Sequence, residues 1–251
     1  MTVGEFRLFD AELSPAGKRA RLALTLAGIP FERIKVDLGL MYQKSFSFLE
    51  MVPLGTVPCL VHDGRVVFDS HVIADYILYN NRSISSLQVI DSLLIKELIL
   101  LEIQLSQTMR PAVYELIGKR RLRENFPTWD AAFESLNSYL VPKYLFVELR
   151  RLFFEPIQQD TVNSTREAMQ FLLEQVERFW MQHRLSDHHD ITLADLTLLP
   201  RFSAIAALEL YSDPTKFTVI AERQQWLESL SVWKNADVAW TGNFKPFEEK
   251  V

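Results

Sequence analysis

The sequence predicts an N-terminal α/β region followed by a larger all-helical region. Before about residue 80, short apolar runs alternate with amphipathic helical runs. Beyond it, apolar residues recur at three- and four-residue spacing through most of the chain. A polar, turn-forming run over residues 80–86 separates the two patterns. We therefore predict one domain over residues 1–82 and a second, all-helical domain over residues 87–251.

The first predicted elements are a strand, a helix and a second strand. Residues 5–10 contain a short apolar run that is typical of a strand. Ser14-Pro15 begins a helix that ends near Gly28, because serine caps helices, proline suits the first turn and glycine suits the end. Residues 31–36 alternate apolar and charged side chains, which indicates a second strand. Two strands joined in this way call for a right-handed parallel crossover.

The rest of the first domain is predicted to be a short helix, a hairpin and another helix. The short helix ends near Met51, Asp63-Gly64 is a favoured hairpin turn, and a helix begins at Ser70. The full order is strand, helix, strand, helix, strand, strand, helix. This is the order of a thioredoxin-like domain.

Residues 53–70 have the features of a peptide-binding segment. Pro58 has no N–H group and disfavours helical geometry at Val57, so the backbone polar groups of Val57 are held extended ahead of the strand. A cis Val57–Pro58 bond turns them outward. The helix start at Asp69-Ser70 offers free N–H groups and a partial positive charge, which suit a carboxylate. Together these features predict a pocket for a small acidic peptide.

Composition limits the remaining possibilities. The chain has 251 residues, 48% of them apolar, and a net charge of −5, which allows a large core and argues against a nucleic-acid-binding face. Cys59 is the single cysteine, so no intrachain disulfide is possible and a reducing compartment is favoured. The N-terminus lacks the apolar core of a signal peptide, and charges interrupt the apolar stretch over residues 93–105. We expect a cytoplasmic protein without a membrane segment.

The second domain is predicted to consist of successive helices. Thr192 and Asp195 form a variant capping box at the start of one of them, with a role in folding. The run over residues 187–190, Asp-His-His-Asp, is interpreted as a polar turn, because consecutive loop residues rarely converge on one metal ion, and we predict no metal site. The predicted helices cover residues 87–119 with a bend near Pro111, 128–154 with an interruption at Pro142, 161–183, 192–210 and 221–230.

The binding segment resembles the glutathione-binding part of the glutathione transferase superfamily. The residues that carry the resemblance are Pro53-Leu-Gly-Thr-Val57-Pro58-Cys-Leu, the hairpin, and Asp69-Ser70. Val52 stands where the family usually has asparagine, and Asp69 where glutamate is commoner. The segment that begins at Thr192 resembles the capping motif of the family's helical domain, so two separate motifs occur in family order. The resemblance implies glutathione as co-substrate, a hydrophobic electrophile as second substrate, a detoxification role and a homodimer.

The resemblance also implies roles for individual residues. Ser14, in Leu-Ser-Pro-Ala-Gly-Lys-Arg, matches the serine of the tau-like and zeta-like classes, whose hydroxyl activates the glutathione thiol. Arg19 and Arg21 match arginines of the same segment, and Arg19 is expected to brace the first helix, with a contact to the site as the alternative. The glutathione-binding candidates are Lys44 for the glycine carboxylate, Thr56, Val57 and Pro58 for the cysteinyl unit, Asp69 for the ammonium group, and Ser70 for the γ-glutamyl carboxylate.

Simpler interpretations remain open for several of these residues. Serine before proline is a good helix start whatever the function, and Lys44 is equally compatible with a solvated charge. Cys59 follows Pro58 on a buried strand and is expected to be inert, and His71 is expected to be exposed.

The wall of the second-substrate pocket is predicted on the long helix, although apolar residues at this spacing are usually core. Its candidates are Met109, Pro111, Val113 and Tyr114, with Trp240 as a lid.

Two functions from different classes are compatible with the sequence. One is a glutathione transferase-like enzyme. The other is a non-catalytic member of the same fold, similar to the stringent-starvation-type regulators, whose surface binds a protein partner. The complete set of Ser14, Val57-Pro58 and Asp69-Ser70 favours the enzyme, because such regulators often lose the activating residue or the anion site.

Overall fold

The computed structural model describes residues 5–80, 92–138, 144–238 and 245–246. Its N-terminal elements follow the predicted order and confirm the thioredoxin-like arrangement. They are β1 (Phe6–Asp10), α1 (Pro15–Leu26), β2 (Glu32–Lys35), α2 (Phe46–Met51), β3 (Cys59–His62), β4 (Arg65–Phe68) and α3 (Ser70–Asn80).

The strands form one mixed sheet in the order β4-β3-β1-β2-β5. β1 pairs with β2 in parallel, as the crossover requires, and β1–β3 and β3–β4 are antiparallel. The last strand, β5 (Lys245–Pro246), pairs in parallel with β2. This corrects the prediction that residues 87–251 are all helical, because β5 belongs to the N-terminal sheet. A two-residue strand is too short to leave a periodic pattern in the sequence.

The remaining described elements are helices. The helix predicted over residues 87–119 extends further than expected, to Asn125: after Pro111, which lacks the N–H of a regular helix, it continues through a π-helical turn (Tyr114–Gly118) into α5. Pro142 and the linker residues 81–86 lie outside the described residues. No helix in the described ranges is long and apolar enough to cross a bilayer. The helices are α4 (Ser92–Val113), α5 (Lys119–Asn125), α6 (Trp129–Ser138), α7 (Tyr144–Phe154), α8 (Gln159–Gln182), α9 (Leu193–Ala207), α10 (Thr218–Ser229) and α11 (Ser231–Val238).

The two regions pack against each other through α1 and α9. Leu22 of α1 belongs to the core of the helical region, where Trp180 is fully buried. Leu196 of α9 belongs in turn to the core between the sheet, α1 and α3. Each region therefore contributes an apolar side chain to the core of the other, which fixes the cleft between them.

The predicted capping box is present at the start of α9. Thr192 N donates to Asp195 Oδ2 at 2.7 Å, and Asp195 N donates to Thr192 Oγ1 at 3.3 Å. Arg223, which was not predicted to take part, forms a bidentate pair with Asp195 and donates to its two carboxylate oxygens at 2.8 and 2.7 Å. The same guanidinium donates to the carbonyls of His188 and Asp190, so it holds the turn at residues 187–190 against the cap.

Candidate functional site

Ser14 lies at the junction between β1 and α1. It is the N-cap of α1, and its Oγ accepts a hydrogen bond from Gly17 N at 3.0 Å. Gly17 has no room for a side chain, because a Cβ there would lie 1.8 Å from Oδ1 of the buried Asp10. A hydroxyl that accepts one hydrogen bond keeps its proton for donation, so Ser14 can cap the helix and donate to a ligand together.

A cavity of about 460 Å³, here called the larger cavity, opens beside Ser14 between the N-terminal loops and the helical region. Its lining includes four predicted site residues: Ser14 and Lys44 from the N-terminal domain, and Val113 and Tyr114 from the helical region. The part contributed by residues 110–122 and 145–152 is called the helical wall. The cavity thus joins the thiol-activation candidate to two of the second-substrate candidates.

Other second-substrate candidates lie elsewhere. Met109 is 4% exposed and lines a smaller cavity of about 290 Å³, where its sulfur accepts from Arg201 Nη1 at 3.4 Å. Pro111 is exposed and belongs to the lining of neither cavity. Trp240 lies outside the described residues. Helical spacing identifies one stripe of the helix but does not determine which cavity each side chain reaches.

Lys44 is fixed against the start of the binding segment. Its Nζ donates to Leu54 O at 3.0 Å. Burial lowers the pKa of Lys44, and the nearby charge of Arg110 lowers it further. Gly55 makes this approach possible, because a Cβ there would lie 2.8 Å from Lys44 Nζ. The cation therefore lies between the binding segment and the larger cavity.

The Val57–Pro58 peptide bond is cis, as predicted. Pro58 is buried, Val57 is half-buried and Thr56 is exposed. The N–H and C=O groups of Val57 make no hydrogen bond within the described part of the chain, since the pairing of β3 begins at Cys59. These groups can pair with the backbone of an extended peptide.

Asp69 and Ser70 start α3 as predicted. Asp69 adopts a φ of 72°, and its Oδ1 accepts from the backbone N–H groups of His71 and Val72 at 2.8 and 3.3 Å. Ser70 is only 5% exposed, and its Oγ accepts from Arg19 Nη1 at 2.6 Å. Because Arg19 can only donate, the Ser70 proton remains available, and a carboxylate reaches Ser70 through that proton or the backbone N–H.

Arg19 belongs to a buried ion-pair network, defined by Arg19, His71, Glu102 and Arg201, that joins the two regions. Glu102 Oε1 lies 2.9 Å from both Arg19 Nη2 and Arg201 Nε, and its Oε2 lies 3.1 Å from His71 Nε2. Arg19 also donates to the carbonyls of Leu196 and Thr197 in α9, at 3.1 and 2.5 Å. The network therefore ties Ser70 to α4 and α9.

The charges of this network govern the ionisation of Glu102. Burial alone raises the pKa of the Glu102 carboxyl. The hydrogen bond from His71 and the charges of Arg19 and Arg201 lower this pKa by more than burial raises it, so the pKa lies below its ordinary range. The prediction that His71 is exposed is wrong, because its side chain is 13% exposed and pairs with Glu102. Sequence position alone could not reveal a partner on another helix.

Glu102 and Arg201 were not predicted as site residues, although the sequence carries a signal for Glu102. It occupies a buried stripe of α4 whose other members are apolar: Ile95, Leu98, Leu105 and Met109. A carboxylate at such a position requires buried cationic partners. The signal indicates that partners exist but does not identify them.

Arg21 has a structural role, and Cys59 is buried as expected. Arg21 Nη1 forms a buried ion pair with Asp10 Oδ2, which Arg33 Nη2 also contacts at 2.8 Å, so Arg21 braces α1 against the sheet. Cys59 is fully buried, and burial raises the pKa of its thiol to about 12. A thiol that stays protonated is not a nucleophile, so Cys59 takes no part in thiol chemistry. No group of His, Cys, Asp and Glu in the described ranges is suited to hold a metal ion.

Comparison with known proteins adds independent evidence. Residues 13–78 match the family model described as glutathione S-transferase, N-terminal domain. Glutathione S-transferase U6 of Arabidopsis thaliana is 38% identical over 74 residues, which are 29% of this chain and 32% of the relative. Glutathione S-transferase 1 of Dianthus caryophyllus is 40% identical over 73 residues, 29% of this chain and 33% of the relative. The chain thus aligns with about a third of the length of these curated relatives.

Solved structures share the fold over nearly the whole chain. The beta-etherase LigF from Sphingobium sp. strain SYK-6 has a TM-score of 0.72 and 19% identity, covering 92% of this chain and 98% of its own. A glutathione transferase homolog from Sulfitobacter, with bound glutathione, has a TM-score of 0.64 and 15% identity, covering 93% and 97%. At such identities the likeness shows the fold. The family model and the plant relatives add that the N-terminal part of the chain, residues 13–78, is similar to the N-terminal domain of glutathione S-transferases.

Proposed function

We propose that this chain is a glutathione transferase that activates the glutathione thiol for attack on a hydrophobic electrophile. The observation that carries the proposal is the position of Ser14, which caps α1 through Gly17 N at 3.0 Å and lines the larger cavity. The capping bond uses a lone pair of Oγ, so the hydroxyl proton is free to reach a sulfur in the cavity. The names of the plant relatives and the glutathione bound to the Sulfitobacter homolog support the same ligand.

In this mechanism Ser14 and the start of α1 lower the pKa of the bound thiol. Lowering it from about 8.5 to about 6.5 requires roughly 2.7 kcal/mol. A hydrogen bond to a charged group contributes about 1.5–3 kcal/mol, and the helix terminus adds to it. The thiol proton passes to solvent, and the thiolate electron pair forms the new sulfur–carbon bond. A leaving group departs with its bonding pair or, in an addition, the substrate takes a proton from water.

The binding segment would hold the tripeptide along its length. The backbone of Val57, next to Thr56 and Pro58, pairs with the cysteinyl unit as an added strand. Lys44 binds the glycine carboxylate, and Ser70 donates to the γ-glutamyl carboxylate. The second carboxylate oxygen of Asp69, which does not cap α3, accepts from the ammonium group.

The second substrate would lie against the helical wall beside Val113 and Tyr114, with Met109 behind it in the smaller cavity. The two-domain division at residues 82 and 87 and a homodimer complete the proposal.

Retention on immobilised glutathione tests the ligand. We expect the wild type to be retained and Ser70→Ala to bind roughly tenfold more weakly, because a charge-assisted hydrogen bond is lost. Ser229→Ala is the matched control, since Ser229 is exposed and its Oγ donates to Trp226 O within α10. Wild type that binds no better than Ser70→Ala would remove glutathione as the ligand.

Ultraviolet titration of the bound thiolate tests activation. Ser14→Ala removes both the cap and the donor, whereas Ser14→Asp keeps an acceptor for Gly17 N and removes the neutral hydroxyl donor. We expect the bound-thiol pKa to rise by about one to two units in Ser14→Ala and at least as much in Ser14→Asp, where the carboxylate repels the thiolate. A thiol pKa that is the same in wild type and both variants would favour the non-catalytic alternative.

A further inference from the structure

The larger cavity contains more positive charge than the proposed glutathione contacts use. Its described lining includes three cations, Lys44, Arg110 and Arg121, and one carboxylate, Glu148. Arg151 donates to both oxygens of Glu148, at 3.1 and 2.5 Å, and these hydrogen bonds lower the pKa of Glu148. The only carboxylate among these lining residues is therefore already paired on its own helix.

Arg110 and Arg121 form no ion pair or hydrogen bond with any residue that the structure describes. Arg110, on α4, lines both cavities. Arg121, on α5, is half-buried and lies against the loop at Gly39, where a Cβ would be 3.5 Å from Arg121 Cβ. Arg110 lies close enough to Lys44 for its charge to lower the pKa of that lysine, in addition to the larger effect of burial.

The walls around these cations are apolar. They include Leu13 and Pro15 from the N-terminal domain and Ile117, Leu149 and Leu152 from the helical wall. Arg110 is exposed and Lys44 and Arg121 are half-buried, so solvent screens their repulsion in part, and a bound anion relieves the repulsion that remains. A cavity of about 460 Å³ lies within the range of small-molecule sites.

The cations divide between the two regions. Lys44 donates a hydrogen bond to Leu54 O in the binding segment, and the proposed function assigns its charge to the glycine carboxylate of glutathione. Arg110 and Arg121 belong to the helical wall, on the side proposed for the second substrate. They are therefore available to a ligand other than glutathione.

We infer that the co-substrate of this cavity is an amphipathic anion, with an apolar electrophilic body and a carboxylate or sulfonate head group bound by Arg110 and Arg121. The inference depends on the proposed function for the reaction with glutathione. Binding of the anion itself requires only the cavity and its two arginines.

A pair of fluorescent probes with the same ring system tests this. 1-Anilinonaphthalene-8-sulfonate carries a sulfonate, and N-phenyl-1-naphthylamine lacks it. Both are titrated without glutathione into wild type, Arg110→Gln, Arg121→Gln and the double variant. The matched control is Arg120→Gln, which loses the same charge from α5. Arg120 is 63% exposed, pairs with Glu124 and does not line the cavity.

We expect wild type to bind the anionic probe about tenfold more tightly than the neutral one. Each single variant loses part of this preference and the double variant loses all of it, with neutral-probe affinity unchanged. Arg120→Gln retains the preference. Equal wild-type affinities, an equal loss for both probes in the double variant, or an equal effect of Arg120→Gln would overturn the inference.

Repeating the titration with saturating glutathione separates this inference from the proposed function. We expect the anionic probe to bind alongside glutathione. Competitive displacement by glutathione would assign the arginines to the tripeptide and overturn the inference while supporting the function. A sulfonate preference in a protein that immobilised glutathione does not retain would overturn the function and leave the anion site standing.

Discussion

The binding segment and the helical wall differ in how their residues reach the site. The segment is continuous in sequence over residues 53–70, and its candidate contacts are the backbone of Val57 and the side chains of Asp69 and Ser70 at the start of one helix. The helical wall combines side chains from α4, the π-helical turn, α5 and α7. The position of these contacts depends on the local geometry of one segment, whereas the shape of the helical wall depends on how several helices pack. In the proposed function, the segment binds glutathione and the helical wall contacts the second substrate.

The ion-pair network links these two regions, because Arg19 contacts both Ser70 and Glu102. A change in the network is therefore expected to affect both regions. Changes confined to one region are expected to leave the other intact.

The largest effect is expected for Glu102→Gln. This change leaves Arg19 and Arg201 buried without their counter-charge, so the free energy of unfolding should fall by about 3 kcal/mol. Retention on glutathione should weaken too, because Arg19 holds the Ser70 hydroxyl. Urea unfolding of wild type and Glu102→Gln measures the loss, with Glu97→Gln on the exposed face of α4 as control. Equal stability of the two variants would show that the network does not join the regions.

The same comparison depends on pH. The pKa of Glu102 lies below its ordinary value of about 4.3 in the folded protein, so its ionised form contributes stability above that pH. This contribution is lost as the pH falls from about 4.3 through the folded-state pKa. The stability difference between wild type and Glu102→Gln should therefore be largest at about pH 7 and smaller at about pH 3. A difference that grows on acidification would contradict the assignment.

Gly55→Ala is expected to damage the binding segment alone. Gly55 has a φ of 55°, and a Cβ would lie 2.5 Å from Gln43 O and 2.8 Å from Lys44 Nζ. We expect a loss of about 2–3 kcal/mol and weaker retention on glutathione, because strain adds to the displacement of Lys44. Gly64→Ala is the control, since Gly64 has a φ of 78° but open space around it, and should lose about 1 kcal/mol. Equal losses would mean that crowding at Lys44 is unimportant.

Thr192→Ala is expected to weaken the helical region alone. Thr192 is fully buried and caps α9, so its loss should cost about 1–2 kcal/mol while glutathione retention stays unchanged. Thr128 is an exposed threonine whose Oγ1 accepts from Ala131 N at 3.2 Å at the start of α6, and Thr128→Ala should cost about 0.5 kcal/mol. Thermal unfolding and the glutathione column measure the two quantities. Reduced retention in Thr192→Ala would show that the cap acts on the binding segment.

The parts of the molecule that were predictable from the sequence are those specified by neighbouring residues. Ser14-Pro15 begins α1, Asp63-Gly64 forms the hairpin turn, and Thr192 with Asp195 forms the capping box, each because local hydrogen bonds and backbone preferences specify it. The cis Val57–Pro58 bond was inferred from the helix start at Asp69-Ser70 as well as from the dipeptide itself.

The less predictable parts depend on contacts between distant residues. Glu102 pairs with His71, 31 positions away, and with Arg201, 99 positions away. Helical periodicity selected the stripe of Met109 and Val113 but not the neighbouring Arg110 that faces both cavities. Periodicity reports which face of a helix is apolar, whereas the cavity depends on how several helices pack.

The smallest effect is expected for Arg151→Gln, which tests whether the ion pair between Arg151 and Glu148 influences anion binding at the helical wall. The ion pair with Glu148 is at the surface, so the free energy of unfolding should change by less than about 1 kcal/mol. The substitution leaves the Glu148 carboxylate without its partner on the lining of the larger cavity, where it repels an anion. Affinity for the sulfonate probe should therefore fall about twofold, with the neutral probe unaffected.

Arg150→Gln is the matched control, because it removes the same charge from the same helix, where Arg150 lies over the Phe154 ring. It should leave both affinities unchanged. An equal decrease in the two variants would indicate a general effect of net charge, and the anion site would then need to lie further from Glu148.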